Sequence, residues 1–286
     1  MRTRAFLALP VVLLAATAIP QASASDPGVA ALQVGLHARG LYKGPIDGIT
    51  GPATQRAIRK LQRRARLQVD GVVGRRTRRA LGRFARHRLG QRPLRLGNAG
   101  WDVASLQFQL AEHGFPSRTF DGIFGPHIDR ALRRFQEWAG LKADGVAGPA
   151  TLAALRGPPA KVPLPLAWPL SVHVVGSPFG PRDERWHSGI DIPAPLGTPV
   201  YSARAGEVVW AGWRGEYGFL VTVAHGHGER SMYAHLSRID VRVGVWIGEG
   251  VRVGLVGATG DATGPHLHFE VRIRGAAVDP LRALPS

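Results

Sequence analysis

The chain has 286 residues, which suggests two domains or slightly more. Its 44% apolar and 20% charged content excludes wholesale disorder, and the absence of cysteine excludes disulfides, thiolate metal sites, a cysteine nucleophile and a lipidated N-terminal cysteine. With 37 Lys+Arg against 20 Asp+Glu the formal net charge is +17, which points to an anionic partner.

The charge is uneven. Residues 171–286 hold 11 Arg and 11 acidic residues, whereas residues 55–95 hold 15 basic residues and a single acid, Asp70. The chain opens with Arg2 and Arg4, an apolar run over residues 5–19 and the small residues Ala22, Ser23 and Ala24. That pattern predicts an export signal over 1–24, cleaved before Ser25. The apolar run is shorter than the ~20 residues a membrane span needs. The expected product is a secreted monomer with no membrane attachment after cleavage.

Next comes a repeat. Shifting the chain by 74 residues superposes Leu32-Gln33 on Leu106-Gln107, Asp47-Gly48-Ile49 on Asp121-Gly122-Ile123, Gly51-Pro52 on Gly125-Pro126 and Gln62 on Gln136. It also superposes Asp70-Gly71-Val72 on Asp144-Gly145-Val146, and Thr77 on Thr151, without a gap. Residues 28–84 and 102–157 are therefore two copies of one module. Each copy contains D-G-x-x-G twice, 23 residues apart. The glycines permit positive φ in a tight loop, and Pro52, Pro126 and Pro149 stand where a first helical position belongs. Apolar spacing predicts a further helix before each first loop, over 29–36 and 103–110. Each module is thus a small all-α three-helix unit. A calcium loop is disfavoured, because an EF-hand needs several acidic ligands and these loops offer one Asp each.

Two readings of the arginine-rich stretch are open, a solvated basic face or attraction to anionic wall polymers. Nucleic-acid binding is not expected, since no aromatic interleaving accompanies the arginines and the export signal argues against it. Five prolines (158, 159, 163, 165 and 169) make 158–169 a semi-rigid linker, suited to hold a catalytic head away from its anchor. From 170 to 286 short β-branched runs alternate with Gly and Pro turns. That is the cadence of an antiparallel all-β domain, barrel-like or sandwich-like.

Five polar residues of this last domain carry the chemistry. His187 and Asp191 lie four apart, with Ile190-Asp191-Ile192 strand-like. His266 and His268 alternate along a strand and so share a face, which Glu270 continues. His235 stands in Tyr233-Ala-His235-Leu-Ser237. Two His and one Asp suit a catalytic zinc with an open water position, and the HExxH helix of thermolysin-type sites is missing. His225-Gly-His227 has the same spacing but sits in a glycine turn, so it is not expected to bind metal.

These motifs resemble two families. Asp47–Gln62 and Asp121–Gln136 resemble the type 1 peptidoglycan-binding domain, whose pattern is D-G-x-x-G-x-x-T-x-x-A-L/V-x-x-F-Q. Copy one departs from it with Leu61 in place of Phe, and copy two with His127-Ile128 in the Thr region. Residues 166–286 resemble the lysostaphin-type zinc metalloendopeptidases, which carry H-x-x-x-D, then Y-x-H-L-S, then T-G-x-H-L-H-F-E. The resemblance implies a peptidoglycan endopeptidase in which His187, Asp191 and His268 bind one Zn2+ while His235 and His266 move protons and stabilise the oxyanion. A strand also allows the converse, with His266 as ligand and His268 in support. Another alternative is a non-catalytic wall-binding protein that activates a different hydrolase.

Overall fold

The computed structural model describes residues 25–162 and 165–285; the expected export signal, 1–24, lies outside the described residues. Three helices form in each copy of the repeat: α1 (Pro27–His37), α2 (Pro52–Arg64) and α3 (Arg75–Arg79), then α4 (Trp101–Glu112), α5 (Pro126–Trp138) and α6 (Pro149–Ala154). α2, α5 and α6 begin on proline, whose fixed φ suits a first turn that has no use for its missing N–H. Asp26 caps α1 by accepting from the N–H groups of Gly28 and Val29.

A buried glutamine explains each D-G-x-x-G. Gln62 donates to Asp70 Oδ1 at 2.6 Å and accepts from Gly71 N–H at 2.9 Å, while Val72 N–H closes the loop onto Asp70 Oδ1 at 2.8 Å. Gln33, Gln107 and Gln136 clamp the loops at Asp47, Asp121 and Asp144 in the same way. The first glycine of each loop has φ between +71° and +76° in all four copies, which glycine adopts without penalty. In copy two Ile128 replaces the threonine, and Gln107 donates instead to the Thr119 carbonyl. The aspartates are turned inward onto amide donors, so the loops are structural.

The modules are not separate beads. α1 packs on α4, and Trp101, Ala104, Phe108 and Phe120 of the second copy lie in one core with Ala30, Leu36, Ile46 and Leu61 of the first. The proline-rich segment does not act as a spacer either. Ala160 and Val162 pack against the core of the β domain, and His113 Nε2 lies 3.1 Å from the Gly157 carbonyl oxygen. Composition sets local stiffness; it does not prevent apolar faces from docking.

The β domain comprises β1 (Gly180–Arg182), β2 (Arg185–His187), β3 (Ile190–Pro193), β4 (Pro199–Tyr201), β5 (Gly206–Trp213), β6 (Phe219–Gly226), β7 (Glu229–Ile239), β8 (Trp246–Ile247), β9 (Arg252–Val256), β10 (His266–Ile273) and β11 (Ala276–Val278). All pairings are antiparallel. The main order is β11-β10-β7-β6-β5-β8, with β3 also on β10, and β9 joining β7 to β4. Among the described residues the sheet stays open. Its two end strands have only three and two residues, and β7 switches partners past Leu236, so no barrel closes. Val208, Val221, Tyr233, Leu267 and Phe269 fill the core beneath it. Among the described residues no helix is long and apolar enough to cross a membrane.

Candidate metal centre

Strand register brings the five predicted residues together. Asp191 on β3 lies directly opposite His268 on β10, and His187 ends the β1–β2 hairpin beside them. His187 Nε2, His268 Nδ1 and Asp191 Oδ1 form a triangle with edges of 3.0, 2.8 and 3.1 Å. Bonds of ~2.0–2.1 Å at tetrahedral angles give edges of ~3.3 Å, so a small outward relaxation admits a zinc ion. This is the one group of three such ligand atoms among the described residues.

The far atoms of these side chains are also engaged. His187 Nδ1 donates to the Pro178 carbonyl at 2.8 Å, which leaves Nε2 bare toward the centre. His268 Nε2 donates to Glu270 Oε1 at 3.1 Å, which turns Nδ1 toward the centre. Glu270 is itself fully buried, and it accepts from Tyr217 O–H at 2.7 Å and from Arg272. Such outer partners fix the tautomer and aim of a metal-binding imidazole. Arg182 holds the other oxygen of Asp191 and also donates to Ser177 Oγ. The donor set and its supports fit zinc.

The electrostatics are those of a compensated cluster. Burial alone would raise the Asp191 carboxyl, but the two imidazoles override it and hold it well below the usual carboxylate range. Burial would lower His268, yet the bonds to Asp191 and Glu270 push it up to about 9. Burial opposes the ionised form of Glu270 as well, and Arg272 and His268 keep it far below its ordinary value. A cation held by these donors would take the place of the proton that His268 otherwise carries.

His235 and His266 flank the triangle. Their ring centroids are 4.8 Å apart, and that of His235 lies 5.7 Å from His268. His235 Nδ1 donates to the Thr259 carbonyl at 2.7 Å and His266 Nδ1 to the Gly264 carbonyl at 2.8 Å. His235 therefore presents Nε2 to the hollow, and His266 Nε2 lies 3.7 Å from Asp191 Oδ1. Burial lowers the His235 pKa, which keeps that ring neutral at neutral pH. His235 also adopts φ +60°, a conformation uncommon outside glycine and one that clusters at functional sites. All five residues line a hollow of about 270 Å³ together with Arg182, Glu216, Tyr217 and Thr263.

His225 binds elsewhere: its ring nitrogens lie against the Ala205 carbonyl and Ser231 Oγ, and His227 caps a turn at φ +48°. Sequence reading had no handle on Tyr217, and it assigned Glu270 to the polar face without its role on His268.

Residues 185–280 match the family model described as peptidase family M23, and residues 25–81 and 100–155 match that of a peptidoglycan binding domain. Among curated proteins the chain is 43% identical over 125 residues to the DD-carboxypeptidase/endopeptidase Mpg of Neisseria meningitidis, covering 41% of this chain and 29% of that protein. It is 42% identical over 97 residues to the peptidoglycan DD-endopeptidase ShyA of Vibrio cholerae, covering 34% and 23%. The chain thus spans less than a third of the length of either relative. Among solved structures it is similar to the catalytic domain of the antimicrobial peptidase lysostaphin from Staphylococcus simulans, with 33% identity, 38% of this chain and 89% of that chain covered, and a TM-score of 0.36. Residues 185–280 thus carry a peptidase family M23 domain, behind two peptidoglycan binding domain regions.

Proposed function

We propose that this chain is an exported zinc endopeptidase that hydrolyses peptide bonds in peptidoglycan stems or cross-bridges. The observation that carries the reading is one hollow in which a His-Asp-His triangle meets two further histidines, each anchored through Nδ1. His187, Asp191 and His268 would hold the ion. Zinc bound there supplies Lewis acidity, which makes a water nucleophilic near neutral pH and polarises a scissile carbonyl. His235, neutral and anchored through Nδ1, accepts a proton at Nε2 and returns it to the leaving amine. His266, anchored in the same way, faces the hollow from the strand that carries His268 and stands beside the developing oxyanion.

Mass spectrometry of muropeptides from purified peptidoglycan digested by the zinc-loaded chain tests this. New amino and carboxyl termini within the peptides, with intact glycan strands, are expected. Products cut only in the glycan, or no products at all, would overturn the reading; the latter result favours a wall-binding activator of another hydrolase.

The second part of the proposal concerns targeting. Arg75, Arg78, Arg79, Arg83, Arg86 and Arg88 surround an open hollow of about 730 Å³ with no aromatic ring in its lining. None of the six forms an ion pair among the described residues, and burial and then the charges of Arg88 and Arg75 lower the Arg78 pKa. The second copy of the module folds the same helix with Pro149, Leu152 and Ala153 where the first has Arg75, Arg78 and Arg79. The fold does not need these arginines, and an anionic wall polymer beside the peptidoglycan would satisfy them. The chain should therefore sediment with purified wall, and part of that binding should fade as salt rises above 0.1 M, where screening acts over ~10 Å. Replacing Arg75, Arg79 and Arg83 by Ser should remove the salt-sensitive part alone; unchanged binding and salt response would contradict it.

A further inference from the structure

The two modules grip the hairpin that carries a metal ligand. The tip of β1–β2 is Asp183-Glu184, and its two successive carbonyls accept from Ile46 N–H at 2.8 Å and Phe120 N–H at 2.7 Å. Ile46 and Phe120 are equivalent positions of the repeat, 74 residues apart, each immediately before an Asp-Gly loop. His37 Nε2 lies 3.0 Å from Glu184 Oε1 at the same tip. One residue before His187, the Trp186 ring packs edge-on to Phe108 of the second module at 5.9 Å and to Phe179 at 5.6 Å. Its indole N–H is buried without an acceptor, so this ring is held by shape alone.

The second module reaches the other ligand strand as well. Arg134 donates to the Gly275 carbonyl at 2.9 Å, and Ala277 N–H donates to the Gly114 carbonyl at 3.0 Å, at the turn where β10, the strand of His268, passes into β11. A Cβ on Gly114 would lie 2.2 Å from the Ala277 carbonyl oxygen, whereas one on Gly40, its repeat equivalent, would meet nothing within 4 Å.

We infer that the paired modules are a positioning element of the metal centre: their clasp on Asp183-Glu184 and on Trp186 sets His187, and wall engagement and metal-site geometry are mechanically joined. Trp186 is its central positioning residue. A metal-binding imidazole is only as well aimed as the backbone that presents it, and changing the supports of such ligands typically costs ~10–100-fold in metal affinity. β1 and β2 have three residues each and pair only with one another, so the hairpin has little sheet of its own to hold it.

The inference rests on the zinc reading above, and its test separates the two. In the full chain, zinc affinity is measured by chelator competition, and ligand geometry by the absorption spectrum of the cobalt-substituted protein. Trp186→Ala should weaken zinc by ~10–100-fold and alter the cobalt spectrum, while Trp186→Phe, which keeps a ring and removes the unpaired N–H, should restore both. Gly114→Ala and Gly40→Ala form an internal control. Both place alanine at positive φ, with similar local strain, but only the former should weaken zinc. A wild-type chain that binds no zinc would overturn the zinc reading. Wild-type zinc binding with unchanged affinity and spectrum in Trp186→Ala, or equal effects of the two glycine variants, would overturn the clasp.

Discussion

Purified His187→Ala and Asp191→Ala should each contain no stoichiometric zinc and release no peptides from peptidoglycan. The site has three protein donors, so losing one leaves two, fewer than catalytic zinc sites use. Losing Asp191 also removes the carboxylate that neutralises the ion and the acceptor to which Arg182 and His268 point. A ligand that binds only the folded state stabilises it by ~2.7 kcal/mol at a hundredfold excess over its Kd, and that zinc-dependent increment should vanish in both variants. Elemental analysis and thermal unfolding with and without zinc check it. A variant that keeps one zinc per chain at wild-type affinity would remove that residue from the ligand set.

A different pattern is expected for the flanking histidines. His235→Asn and His266→Ala should bind zinc near wild-type level and lose at least about a hundredfold in cleavage rate, since a positioned acid or base contributes ~10²–10⁴-fold and one oxyanion donor ~10²–10³-fold. Asparagine is the better replacement at 235, because it tolerates the φ of +60° that alanine resists. The loss should fall on kcat more than on KM, as neither ring is placed to bind ground-state peptide alone. Full activity in either variant would take that residue out of the mechanism.

Much of this was legible because it is written locally. The repeat shows at a shift of 74 since each copy needs the same Gln, Asp and Gly to close the same loop, and prolines mark three helix starts. His266 and His268 share a face by strand geometry. That geometry does not say which of them faces Asp191; the register of β3 on β10 does, and a pairing between residues 77 apart in the chain leaves no local trace.

The supports were illegible for the same reason. Tyr217 and Arg272 meet Glu270 only after β6, β7 and β10 assemble, and a lone tyrosine in a glycine-rich turn carries no signal. The clasp on β1–β2 joins the repeat-equivalent Ile46 and Phe120 to Asp183 and Glu184, a hairpin tip outside the repeat. The proline count of the linker predicted a spacer, but the apolar Ala160 and Val162 within it were free to dock.

The central claim is that His268, not its strand neighbour His266, completes the metal triangle with His187 and Asp191. Zinc content per chain of His268→Ala against His266→Ala, each purified and exposed to the same zinc buffer, tests it directly. The account predicts close to none in the first and close to one in the second; metal lost from His266→Ala and retained by His268→Ala would contradict it.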